Sequence, residues 1–186
     1  LIVNRAIDSK ISFSRLLVFF YLIAFSLNIF ISQILSFSSQ LNNRYLYFSL
    51  QTFLVVLLIW FVKRKSHISW IDLLPQNNRP EENLNFLSGL MVGITSLSFL
   101  VLFLIGIQTP PNNLDSLHTH LTRVYYWLQH GNFLSWPALG TAQLYYPINA
   151  NIQALWIFLF GHNEKLFFLV PWFSLLVIAT GIYHIG

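Results

Sequence analysis

The sequence predicts an all-α polytopic membrane bundle of about four transmembrane helices, with an extracytoplasmic loop of amphipathic interfacial helices. Two observations predict it. First, 55% of the 186 residues are hydrophobic and 9% are charged, where a soluble domain carries about 25% charged residues. Second, the apolar residues fall into long runs separated by polar links, and about 20 residues at 1.5 Å each cross a bilayer. Phe, present 18 times, suits lipid-facing and helix-packing surfaces.

The first run is Leu16 to Phe37, preceded by Arg5, Lys10 and Arg15. No small-x-small cleavage site follows it, so it reads as a retained anchor and not as a signal peptide. The link "SSQLNNR" leads to the second run, Tyr45 to Val62, which ends on Lys63, Arg64 and Lys65. Pro75, Pro80 and paired Asn mark the next segment as loop. The third run, Phe86 to Ile107, carries Gly89, Gly93 and Ser96, a small-residue face on which a helix could pack. Ile152 to Phe160 is apolar but too short to span, so it is expected in the interface or tucked against the bundle. The fourth run is Leu166 to Ile185.

Basic residues set the orientation. They cluster before the first run and around the second loop, whereas the long third loop holds only Arg123 and Lys165. Lys and Arg favour the cytoplasmic side, which places the N-terminus in the cytoplasm of a plasma (inner) membrane protein and residues 108–164 outside. The net charge of +4 is therefore read as topology, and no nucleic acid is expected as a partner. The absence of cysteine removes disulfides, thiolate zinc sites and Cys nucleophiles. The chain reads as a single membrane domain over 1–186. Its start at Leu1 and end on an apolar run suggest the N-terminal fragment of a larger protein.

The chemistry concentrates in "PPNNLDSLHTHLTRVYYWLQHGN", Pro110 to Asn132, with an Asp, three His and an Arg. Leu114, Leu117, Leu121, Val124, Tyr125 and Leu128 recur at helical spacing. Pro111 and Asn112–Asn113 supply a start and Gly131 a stop, giving a surface helix of about four to five turns. Asp115, Thr119, Thr122, Arg123 and Tyr126 fall on the other face. Asp115 and Arg123 lie roughly 12 Å apart along the axis, too far for a simple ion pair.

Bland readings stand beside the chemical ones. An Asp in a first turn is often a cap or a macrodipole partner. Arg123 would then be solvated or snorkelling to lipid phosphate, and His118, His120 and His130 would be interfacial polar residues. Tyr125, Tyr126, Trp127, Trp136, Tyr145, Tyr146 and Trp156 fit an interfacial aromatic belt. Asp115, His118 and His120 also spell a metal pattern, but the two His point about 200° apart on a helix, so one ion cannot take both.

This stretch, followed by "QLYYPINANIQALWIFLFG", resembles the first large outer loop of GT-C fold membrane glycosyltransferases of the protein-mannosyltransferase-like branch, which use dolichyl- or polyprenyl-phosphate sugars. Members show Asp-Ser-Leu-x-Tyr-His-x-x-Arg, then Trp-x-Gln-x-Gly, then Tyr-Pro. Asp115, Ser116, Leu117, His120 and Arg123 match the first element, Trp127, Gln129 and Gly131 the second, and Tyr146 and Pro147 the third. Thr119 departs from the family's Tyr. The resemblance implies transfer of a hexose, mannose-like, from a polyprenyl-phosphate-linked donor to an acceptor hydroxyl on a glycan, lipid or protein, at the outer face of the bilayer. It implies Asp115 as catalytic general base and His120, Arg123 and Tyr146 as substrate-binding residues. It names no certain cofactor and leaves room for a divalent metal. Four spans cannot enclose donor and acceptor sites, so this part alone is expected to be inactive. Two other readings of the chain are a transporter or flippase segment, for which Asn28, Gln33, Gln51 and His184 would be the pathway, and a non-catalytic assembly subunit docking through Gly89 and Gly93.

Overall fold

The computed structural model describes residues 13–65, 85–138 and 142–185. Arg5, Lys10, Arg79 and the loop from Pro75 to Pro80, on which part of the orientation argument stands, lie outside them, as do the surroundings of the Lys65 and His184 side chains. The described residues are helical and contain no strand. Four long helices match the four runs: α1 (Phe13–Phe37), α2 (Arg44–Lys65), α3 (Phe86–Gln108) and α7 (Leu169–Ile185). Between α3 and α7 lie a π-helical turn (Ser116–Leu121), α4 (Thr122–His130), the single turn α5 (Ala142–Tyr145), α6 (Asn149–Gly161) and a 3₁₀ turn (Glu164–Phe168). The chain is a multi-pass helical membrane protein: four helices are long and apolar enough to cross a bilayer.

The long helices alternate in direction. In the α1–α2 hairpin, Ser32 Oγ lies 2.7 Å from the Tyr47 hydroxyl, and one turn or so further down Gln51 Nε2 reaches Asn28 Oδ1 at 3.4 Å. α3 meets the 3₁₀ turn and α7 through aromatic rings, Phe103 on Phe168 at 5.7 Å and Phe99 on Trp172 at 6.0 Å. Tyr21 on α1 and Ser174 on α7 join the pairs at 2.7 Å. One end of the bundle collects the α1–α2 link and all of the loop helices. There Leu41 N–H donates to Gly131 O at 2.9 Å, Phe133 N–H to Ser36 Oγ at 2.8 Å, and Arg44 meets His162 at 2.7 Å.

The packed core sits at that end. Ile31, Leu35 and Tyr47 of the hairpin enclose Leu121, Val124 and Trp127 of the loop helix and Ile152, Leu155 and Leu159 of α6. Below it the spans expose apolar side chains such as Phe19, Trp60, Leu97 and Ile178, as lipid-facing helices do. The short apolar piece Ile152 to Phe160 is thus α6, tucked against α1. Among the described residues nothing packs on Gly89 or Gly93. Gly106 is covered: a Cβ there would collide with the Phe168 ring, so its lack of a side chain is what lets α3 approach the 3₁₀ turn.

Two assignments change. Trp127 is buried, and Trp156 donates from Nε1 to Gln51 Oε1 at 3.0 Å, so neither belongs to an interfacial belt. Tyr126 is covered by His130 at 3.9 Å and Trp136 at 4.3 Å, both nearly parallel, which leaves little of the ring for a ligand.

Candidate active site

The loop helix begins where the sequence predicts, through Asn113, whose Oδ1 accepts from Ser116 N–H at 2.7 Å. Asp115 makes no capping hydrogen bond. Its carboxylate is 66% exposed, with Oδ2 3.4 Å from His120 Nε2.

The helix does not keep one register. Ser116–Leu121 is π-helical, so an extra residue is wound into the turn. The Thr122 hydroxyl donates to Leu117 O at 2.9 Å, five residues back, across the wide turn. The consequence is a rotation of the two faces. Leu114 and Leu117, expected on the buried face, are exposed, while Thr119 and Arg123, expected on the polar face, are buried. The same rotation brings His120 inward, where Nδ1 lies 2.8 Å from Asn151 Oδ1 on α6.

Arg123 is therefore neither solvated nor snorkelling. It is 1% exposed. Its Nε and Nη2 donate to Gln143 O at 2.8 and 2.6 Å, and Nη1 donates to Tyr146 O at 2.9 Å. Burial lowers its pKa from the ordinary guanidinium value, and the group stays charged at any physiological pH. Gln143 in turn donates from Nε2 to His118 O at 2.6 Å. Arg123 thus ties the segment around α5 to the loop helix. Tyr146 takes part through its carbonyl, and its side chain is exposed.

Beside His120 opens a cleft of about 440 Å³, walled by Thr109 to Asn113, Ser116, His120, Ala150, Ala154, Lys165, Phe168 and Val170. Asp115 is not among the lining residues; it neighbours the cleft through His120, whose Nε2 lies 3.4 Å from its Oδ2. Of the four sequence-predicted site residues only His120 lines the cleft; Asp115 lies beside His120, and Arg123 and the Tyr146 carbonyl bond to each other instead. Lys165 was not singled out, although it is one of only two basic residues in the long loop, and that scarcity was the available signal. Among the described residues no three His, Asp or Glu side chains converge on one point, so these residues do not fit a divalent ion.

A second cavity, about 530 Å³, lies within the bundle between α1, α6 and α7 and is lined by Phe20, Phe25, Ile157, Val170, Phe173 and Leu176, among others. Both cavities include Val170, and both are bordered by α6, the cleft at Ala150 and Ala154 and the groove at Gln153 and Ile157. The groove's polar side chains satisfy each other: Asn28 donates to Gln153 Oε1 at 2.8 Å, and Gln51 bonds Asn28 and Trp156. What remains to a ligand is apolar wall.

Compared with models of known protein families, with characterised proteins and with solved structures, the chain matches none.

Proposed function

We propose that the chain forms the first active-site region of a membrane glycosyltransferase that moves a hexose from a polyprenyl-phosphate carrier to an acceptor hydroxyl. The observation that carries the reading is that the two cavities share a wall. A polar cleft holding His120, which lies beside Asp115, and Lys165 has Val170 in common with an apolar groove between membrane helices. A lipid-linked sugar has this same division, with a polar head and a hydrocarbon tail. The mutual bonding of Asn28, Gln51 and Gln153 weighs against their use as a transport pathway.

In this reading Asp115 takes the proton of the acceptor O–H as its oxygen attacks the anomeric carbon. The bond from that carbon to the phosphate oxygen breaks, and the electron pair leaves with the lipid phosphate. Lys165 offsets the charge that develops there. Arg123 serves by holding the α5 segment, and Tyr146 by lending it a carbonyl. The cleft faces the outside of the plasma (inner) membrane, with the N-terminus in the cytoplasm.

The test uses the full-length protein in membrane vesicles, supplied with a labelled polyprenyl-phosphate hexose or with the same sugar on a nucleotide. Transfer from the lipid donor alone, lost when Val170→Trp obstructs the cavities at this shared wall, supports the reading. Transfer from the nucleotide sugar alone, or from neither, refutes it. Sidedness is tested separately. The chain has no cysteine, so Ser116→Cys carries a single thiol, and a membrane-impermeant maleimide should reach it from outside. Labelling only from the cytoplasmic side contradicts the orientation.

A further inference from the structure

Asn151 stands on the first turn of α6 and is 2% exposed. Its Nδ2 is the one buried side-chain polar atom among the described residues with no hydrogen-bond partner. A buried donor left unpaired has given up its bonds to water with nothing in return, so its orientation calls for a physical account. Its Oδ1 lies 2.8 Å from His120 Nδ1, and on the opposite edge of that ring Nε2 lies 3.4 Å from Asp115 Oδ2.

With Oδ1 facing the ring, Nδ1 must carry a proton. Nε2 then either carries a second one, making an imidazolium, or turns a lone pair toward a carboxylate. A half-turn of the amide exchanges its oxygen and nitrogen, which have nearly the same shape. Nδ2 then donates to Nδ1 and is no longer orphaned. The ring's single proton sits on Nε2 and points at Asp115. The half-turn leaves Oδ1 without a donor, a lesser cost, since under-satisfied carbonyls are tolerated better than orphaned N–H groups.

We propose that Asn151 is a positioning residue. Its amide donates to His120 Nδ1 and holds the ring in the Nε2–H tautomer, so that one oxygen of Asp115 is pinned and the other is left free for the acceptor proton. The consequence for rate rests on the reading of Asp115 as general base; the consequence for the imidazole does not.

The experiment is nitrogen NMR of the full-length protein with ¹⁵N-labelled histidine in lipid nanodiscs, at mildly alkaline pH where a model imidazole is neutral. His120→Gln identifies the His120 signals. The expected wild-type ring has a bare Nδ1 and a protonated Nε2. Asn151→Leu should give a mixture of tautomers. Asn151→Asp, which keeps the shape and can only accept, should move the proton to Nδ1 and covers the case in which the leucine variant does not fold. A wild-type ring protonated on Nδ1, or one unchanged in the folded variants, overturns the proposal. In the transfer assay, Asn151→Leu should lower kcat with KM unchanged, by less than the roughly 10²–10⁴ expected from loss of the base itself. The double variant with His120→Ala should be no slower than His120→Ala alone; additive losses would mean that Asn151 acts by packing, which also overturns the proposal. Failure of the wild-type protein to transfer sugar would sink the proposed function, and the ring spectrum would still decide the role of Asn151.

Discussion

Replacing Arg123 separates two roles that its position in a catalytic-looking motif confuses. The guanidinium is buried and bonds two backbone carbonyls, those of Gln143 and Tyr146. A hydrogen bond to a charged group is worth about 1.5–3 kcal/mol; with the two donors that share Gln143 O counted as one bond, their loss in Arg123→Leu should cost roughly 3–6 kcal/mol. The 5.8 Å approach of the guanidinium to the Trp127 ring adds little beyond that. Arg123→Lys keeps the charge but not the planar fork, and should lose about half as much. The assay is reversible unfolding in mixed micelles for wild type and both variants, with transfer measured in parallel. Activity should fall only as far as the folded fraction falls. An Arg123→Leu protein as stable as wild type, yet unable to transfer sugar or bind the lipid phosphate, would refute the structural role and return Arg123 to the substrate.

Gly131 ends α4 at φ +70°, and a Cβ there would also strike the Ser39 carbonyl; Gly131→Ala should cost about 1–2 kcal/mol from the backbone alone and more from the collision, read as a lowered unfolding midpoint. Tyr47→Phe removes the hydroxyl that bonds Ser32 and Asn28 and should cost about 0.6–1.7 kcal/mol, the range for polar contacts between membrane helices. Burial, then the hydrogen bond to Glu164 and its charge, push the Tyr125 phenol up to about 12 from 10.0. A raised phenol favours folding below pH 10, and that contribution is lost as pH climbs through the window up to about 12. Glu164→Gln should move the phenolate absorbance titration of Tyr125 back toward the ordinary value. Lys165→Met should slow transfer without loss of stability, the opposite pattern to Arg123→Leu.

The spans were legible because a bilayer demands a long apolar run and tolerates little else, so Phe86 to Ile107 could hardly be anything but α3. The cap at Asn113 and the stop at Gly131 were equally local and were read correctly. The face of the loop helix was not. A constant turn angle was assumed, and the π-helical turn at Ser116–Leu121 swaps Leu117 for Thr119 at the core. No residue type announces such a turn, and the side chains it redirects find partners far away in sequence: His120 meets Asn151, and Arg123 meets the carbonyls of Gln143 and Tyr146. Arg123 looked exposed for the same reason. A buried arginine needs acceptors, and here they are backbone groups more than twenty positions away in part, which carry no sequence signal. The approach of Asp115 to His120 depends on the same turn: five residues apart they would point about 140° apart on an α-helix, and the wider turn brings them together.

The central claim is that Asp115 is a base and not a cap. The most direct measurement is the rate of sugar transfer from a labelled polyprenyl-phosphate hexose by wild type and Asp115→Asn, at equal expression in membrane vesicles. The account predicts a loss of about 10² or more, since general-base help is worth roughly 10²–10⁴. A wild-type protein that transfers sugar and an Asp115→Asn variant that does so at the same rate would contradict it.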